Sequence, residues 1–306
     1  MFHSVLFEAM RRLLALALIG CGLSLGISGE MKCLESDAAI EVFSGDNLVL
    51  RYNKQPTEDA ERNKPFYSRT GYIHPLRTPS GKTITGDYAP DHPHQHGLFF
   101  AWTKTGFEGR EPEFWNQKLE KGRVSYSETK EILSEPGEAG FVVEHLWEDL
   151  SDEGNAKPIL SELWSIRVRA VENRYEIDLE STQTCIADSP LTIKQYHYGG
   201  MAIRGNDEWL GEEDGRITTS DGKGRQEGNH SRPAWVKMSG DLDGAPCGVV
   251  AIQDKSNFRY PQWVRLHPSK PYFVFAPMVE EPFEINPGED YVSKFQWVVF
   301  DGDYTP

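Results

Sequence analysis

The chain has 306 residues, with 32 lysines and arginines against 47 aspartates and glutamates and a formal net charge of −15. So acidic a balance argues against nucleic acid as a partner, and the length suits one large β domain or two small ones. Past residue 29 the cysteines are Cys33, Cys185 and Cys247, too scattered for a disulfide framework and without a CxxC pair for zinc or redox chemistry; a single Cys185–Cys247 bridge is compatible with the sequence.

Residues 1–29 read as a leader. Arg11-Arg12 precede the apolar run 13–19, and small residues follow through Gly26-Ile27-Ser28-Gly29, the pattern of a secretory signal peptide. Leu18-Ile19-Gly20-Cys21 resembles a bacterial lipobox, in which Cys21 would carry a lipid anchor. The expectation is an exported protein, periplasmic or extracellular, with residues 30–306 forming a single β-sandwich domain. No later segment is long and apolar enough to span a membrane.

From residue 39 onward, period-2 alternation dominates. Strands are predicted at 39–43, 48–52 and 141–147. Trp164, Ile166 and Val168 alternate with Ser165, Arg167 and Arg169, and Tyr175, Ile177 and Leu179 with Glu176, Asp178 and Glu180. The stretch 204–232, rich in Gly, Asp, Glu and Asn, reads as a long loop. Further strands are predicted at 248–253 and 272–276. In the last one Tyr291, Ser293, Phe295, Trp297 and Val299 would share a face. No helical period is sustained; at most a short turn forms near 113–119. The fold class is all-β, a large antiparallel sandwich.

Chemistry-bearing residues concentrate around Asp91-His92-Pro93-His94-Gln95-His96-Gly97, which holds three of the nine histidines. On a strand His92, His94 and His96 would share a face and converge; Pro93 argues for a loop instead. Three readings stay open, one a polar turn whose histidines hydrogen-bond the backbone and two that give the cluster a function. In one, no metal is needed: His94 or His96 is a general base, with His92 and Asp91 beside it. In the other, His92, His94 and His96 ligate a metal ion, completed by Asp91 or Glu113. His74 and Arg77 would line the same pocket, Arg77 orienting a substrate through its planar fork. Trp115, flanked by Phe114 and Asn116, is a candidate platform for the apolar face of a sugar, with Asn116 as a hydrogen-bonding neighbour. Tyr196-His197-Tyr198 with Arg204 forms a later cluster; on a strand His197 would face opposite to both tyrosines and lie across the pocket from the first cluster.

Several segments in order carry a family resemblance. They are His74-Pro75-Leu76, Asp91-His92-Pro93-His94-Gln95-His96-Gly97-Leu98, Phe114-Trp115, Tyr198-Gly199-Gly200, Asp254-Lys255-Ser256-Asn257 and Asn286-Pro287-Gly288-Glu289. From about residue 40 to 302 the chain resembles the bacterial family known as methane oxygenase PmoA-like. That family commonly has His at the position of Gln95, where this chain departs. A methane monooxygenase subunit needs several transmembrane helices, so the resemblance does not imply methane oxidation. It implies a galactose-mutarotase-like β-supersandwich, a group that includes sugar epimerases, polysaccharide lyases and accessory domains of glycosidases. Carbohydrate, or another small polar ligand, is then the expected partner. The function implied is saccharide binding with epimerase- or lyase-like proton transfer by the His cluster and Arg77. A non-catalytic carbohydrate-binding module is the alternative, and a metal-dependent enzyme on the His cluster the third.

Overall fold

The computed structural model describes residues 30–58, 64–152, 154–211 and 215–306. The expected leader and its Cys21 lie outside the described residues. Among the described residues no helix is long and apolar enough to cross a membrane.

The all-β expectation is borne out by two eight-stranded antiparallel sheets. The first runs, edge to edge, Met31–Glu35, Ala39–Ser44, Asn47–Asn53, Tyr72–Leu76, Leu98–Ala101, Gly200–Arg204, Tyr272–Phe275 and Val264–Leu266. The second runs Gly215–Thr219, Trp235–Leu242, Ala245–Gln253, Asp290–Asp301, Arg174–Cys185, Lys157–Val171, Glu138–Asp149 and Gly122–Glu135. Alternation decides which face each strand buries. In Arg174–Cys185 every second residue from Tyr175 onward is buried, and in Asp290–Asp301 Tyr291, Phe295 and Trp297 point inward. The inner faces meet in one continuous apolar core. Across it Phe273 stacks on Trp297 at 6.1 Å and Phe275 on Phe295 at 5.1 Å between ring centroids. Burying a side chain such as Phe stabilises by about 1.5–3 kcal/mol, so this aromatic seam holds the sheets together.

The core also contains a charge. Glu162 is fully buried and accepts five hydrogen bonds. Its Oε2 takes His145 Nδ1 at 3.0 Å and Trp147 Nε1 at 2.9 Å. Its Oε1 takes Trp164 Nε1 at 2.8 Å, Ser181 Oγ at 2.5 Å and Gln183 Nε2 at 3.1 Å. Burial works to raise the Glu162 pKa, but these donors, His145 foremost, outweigh it and hold the carboxyl below its ordinary range. His145 Nε2 meets the Tyr52 hydroxyl at 2.6 Å, and Trp102 Nε1 donates to Gln183 Oε1 at 2.6 Å. Tyr52 belongs to the first sheet and His145 and Gln183 to the second, so the network ties the layers across the core.

Three expectations are corrected. The stretch 204–232 is not one loop: it holds the edge strand Gly215–Thr219 and a helical turn, Arg225–Gly228. That strand has a single apolar residue, Ile217, too little to show an alternation. His92–His96 is a strand rather than a loop, but it pairs only with Asp87–Ala89. A two-stranded ribbon leaves one side of each strand unpaired, which is where Pro93 is tolerated. Finally, Cys33, Cys185 and Cys247 are free and buried. Cys247 pairs in register with Asp301, whereas Cys185 follows Thr184, the partner of Asp290. The cysteines sit at opposite ends of one long strand, about 35 Å apart by strand rise, beyond any disulfide.

Candidate functional site

The histidine ribbon enters the first sheet through Gly97, which has φ +41°. A Cβ there would lie 2.0 Å from the Ile73 carbonyl oxygen, so only glycine fits. Behind the ribbon Arg204 is fully buried. It donates to Gln95 Oε1 and Asp91 Oδ1, both at 3.2 Å, and to Asp207 Oδ1 at 2.6 Å. Lys270 Nζ pairs with Asp91 Oδ2 at 2.7 Å, and His92 Nδ1 lies 3.1 Å from that oxygen. Partial burial would raise the Asp91 pKa, but Lys270, Arg204 and His92 hold it far below the usual carboxylate range. Arg204 and Asp91 therefore anchor the ribbon; the expectation that they contact ligand gives way to a supporting role.

In front of the ribbon is a cavity of about 240 Å³. His92, His94 and Gln95 line it from the ribbon, Trp115 and Asn116 from the 113–116 turn, and His197 and Tyr198 from the segment before strand Gly200–Arg204. Arg265, His267 and Tyr272 complete it from the edge of the sheet. The 113–116 turn is fixed by Glu113, whose Oε1 accepts the backbone N–H of Trp115 at 3.0 Å and of Asn116 at 3.1 Å. The Trp115 ring packs on Phe99, Tyr198 and Tyr272 and is 2% exposed, so it is a wall more than an open platform. His197 is exposed at the mouth. Its carbonyl accepts from His230 Nε2 at 3.2 Å. Burial, Arg265 and His230 together push its pKa down.

Two imidazoles have defined states. His94 is half-buried, and no described residue hydrogen-bonds its ring. Burial, then the neighbouring His92 and His96, pushes its pKa down to about 4. At neutral pH it is an uncharged ring able to accept a proton. His267 is held differently. The backbone N–H groups of Ser269 and Lys270 donate to its Nδ1 at 3.2 and 3.1 Å. A nitrogen that accepts carries no proton, so the neutral ring is protonated at Nε2 and acts as a donor. Burial, then Arg265, pushes its pKa to about 4 as well. Buried Arg225 staples this turn by donating to the carbonyls of His267, at 3.1 Å, and of Lys270. Burial raises the Tyr198 phenol to about 12, so it too remains a donor.

The three ribbon histidines do not converge, which corrects the expectation drawn from their spacing. His92 and His94 approach to 5.5 Å between ring centroids. His96 is fully buried, bonded through Nδ1 to Asp87 Oδ1 at 2.8 Å and through Nε2 to Gln117 Oε1 at 3.2 Å. Buried and hydrogen-bonded through both nitrogens, it does not line the cavity. Among the described residues no group of three or more His, Cys, Asp or Glu side chains could hold a metal ion. His74 and Arg77 are not among the lining residues either. His74 Nδ1 meets Thr85 Oγ1 at 3.0 Å, and Arg77 opens a turn bridged to Thr83. Sequence reasoning missed Arg265, His267 and Tyr272. In Val264-Arg265-Leu266-His267 the alternation buries Val264 and Leu266 and turns the other two to the opposite face. A larger groove of about 560 Å³, near Arg216, Lys237 and Asp303, has no histidine or aromatic lining and offers less chemistry.

The depressed histidines have a consequence for stability. Between pH 6.5 and 4 the unfolded chain binds protons on His94 and His267 that the folded chain does not, so stability falls as pH falls through that window. The melting temperature should drop less between pH 7 and 5 in a His94→Asn, His267→Asn double variant than in the wild type. An equal drop in both would show that these rings are not held neutral.

The model of a family described as a family of unknown function, DUF6807, matches residues 39–306. It carries no methane-oxygenase description, so that label from the expected resemblance is not returned. No protein of curated function gives a significant match. Among solved structures the chain is similar to a galactose mutarotase related enzyme from Lactobacillus acidophilus, at 10% identity over 90% of this chain and 99% of that one, TM-score 0.40. It is also similar to a galactose mutarotase-like protein from Lactobacillus casei, at 8% identity over 88% of this chain and 99% of that one, TM-score 0.38. A heparinase III matches at 9% identity over 89% of this chain and 36% of that one, TM-score 0.38. Likeness this distant says nothing about ligand or reaction.

Proposed function

The chain belongs to the DUF6807 family of unknown function, and we propose that it binds a small saccharide in the His94–His267 cavity and moves a proton on it. One observation carries this reading: the cavity lining contains four histidines, three aromatic rings of Trp or Tyr, two amides and no carboxylate. Glycoside hydrolysis by two opposed carboxylates has no residues for it here. His94 is uncharged at neutral pH and so can take a proton, as a weak base given its lowered pKa, from a carbon made acidic by a neighbouring carbonyl or carboxylate. Donation of a proton to the opposite face of that carbon by a second cavity group, with His94 keeping the first, gives epimerisation; passing the His94 proton to an oxygen leaving from the next carbon gives elimination. His267 Nε2–H and the Tyr198 hydroxyl would donate to the oxygen that gains charge. His197, at the mouth, would meet the ligand as it enters. The cavity is smaller than the usual range of roughly 300–1,000 Å³ for ligand pockets, which favours one sugar ring. Export through residues 1–29, and one folding unit from residue 30 to 306, complete the reading.

Thermal shift with a panel of monosaccharides tests it. A ligand at a hundredfold excess over its Kd stabilises by about 2.7 kcal/mol. The wild-type melting temperature should therefore rise by several degrees with at least one sugar. A His267→Asn variant should lose most of that rise. No shift with any sugar, or a shift that survives in His267→Asn, counts against the site.

A further inference from the structure

We propose that the ligand carries a carboxylate and that Arg265 is its anchor. This rests on the saccharide reading and names the substrate class within it, an acidic sugar such as a uronate. In a chain with 47 acidic residues, a cavity lined without one is a marked local exception. Arg265 is half-buried in that lining, and it has no ion pair or side-chain hydrogen bond to any described residue. Two arginines packed around the same ribbon and turn are held, by contrast: Arg204 by Asp91 and Asp207, and Arg225 by two carbonyls. The carboxylate of Asp91 pairs with Arg204 and Lys270 and not with Arg265. A partly desolvated guanidinium left without a counter-charge is unfavourable. A carboxylate supplied by the ligand removes that cost and matches the planar fork with two parallel hydrogen bonds. The charge of Arg265 also reaches the neighbouring rings, where it contributes to the low proton affinity of His197 and His267.

The test is calorimetric binding of D-glucuronate and D-galacturonate, the neutral sugars D-glucose and D-galactose, a glucose sulfate ester, and acetate as a bare carboxylate. Wild type, Arg265→Gln and Arg265→Lys are compared. Wild type should bind one uronate at least about tenfold more tightly than its neutral counterpart. Arg265→Gln should erase that preference while leaving neutral-sugar affinity within about twofold, and Arg265→Lys should restore part of it, keeping charge but not the fork. An unchanged melting temperature in Arg265→Gln is expected, since the side chain has no partner to lose. Equal affinity for uronate and neutral sugar, unaffected by Arg265→Gln, would overturn the anchor and leave the saccharide reading standing. Arg265-dependent acetate binding with no sugar bound would support the anchor and remove the saccharide. A sulfate ester bound as tightly as the uronate would overturn the choice of carboxylate, and no binding by any probe would overturn both readings.

Discussion

Glu162→Ala is expected to destabilise the fold by about 3–5 kcal/mol, the cost typical of removing one partner from a buried charge pair. The variant leaves five donors around an empty site: the ring N–H groups of His145, Trp147 and Trp164, the Ser181 hydroxyl and the Gln183 amide. Glu162, His145, Trp147 and Trp164 are all fully buried, and each orphaned donor costs about 1–3 kcal/mol. Against the 5–15 kcal/mol of a typical domain, such a loss brings the protein close to unfolding at room temperature. Glu162→Gln keeps the shape and one acceptor oxygen, so its loss should be smaller. Urea denaturation of the three proteins measures this. A Glu162→Ala midpoint equal to that of the wild type would show that the network does not hold the two sheets together.

The second large effect separates two histidines two positions apart. His94→Asn should lower turnover of a responsive sugar by about 10²–10⁴-fold and leave the melting temperature nearly unchanged, since no described residue hydrogen-bonds the His94 ring. His96→Asn should do the reverse at the first step. It breaks the buried contact with Asp87 and leaves that carboxylate with the Tyr72 hydroxyl and the Tyr88 backbone N–H as its donors among the described residues, so the fold loses several kcal/mol. Any loss of turnover there should follow the loss of structure. If His94→Asn melts early and turns over normally, the base has been misplaced.

Much of the fold is written in the period of the sequence. The alternation at Trp164-Ile166-Val168 and at Tyr175-Ile177-Leu179 gives both strand and inward face, because burial on one side of a pleated strand forces that period. The same parity, carried back two residues, turns Glu162 inward and Leu163 outward, where it is 38% exposed. Alternation cannot show the donors that wait for Glu162, since His145 and Ser181 come from other strands. The site is legible in part. His92, His94, Trp115, Asn116 and His197 do line one cavity. His96 shares their pattern but not their place, because burial deepens along His92–His96 as the ribbon enters the sheet at Gly97. Arg204 and Asp91 read as ligand contacts and act as supports, a difference set by Lys270 and Asp207, which only the fold brings near. Arg265 and His267 needed knowledge of which edge the short strand Val264–Leu266 occupies, and that is a matter of sheet order rather than local pattern.

The central claim is that ligand binds where His94, His267 and Arg265 meet. Nuclear magnetic resonance of histidine rings, in protein labelled on histidine and titrated with D-glucuronate or D-galacturonate, observes that place directly. The ring signals of His94, His197 and His267 should move and saturate together, while those of the buried His96 and His145 stay fixed, and the movement should vanish in Arg265→Gln. Saturable binding that leaves every cavity ring unmoved, or that shifts only histidines outside it, would contradict the account.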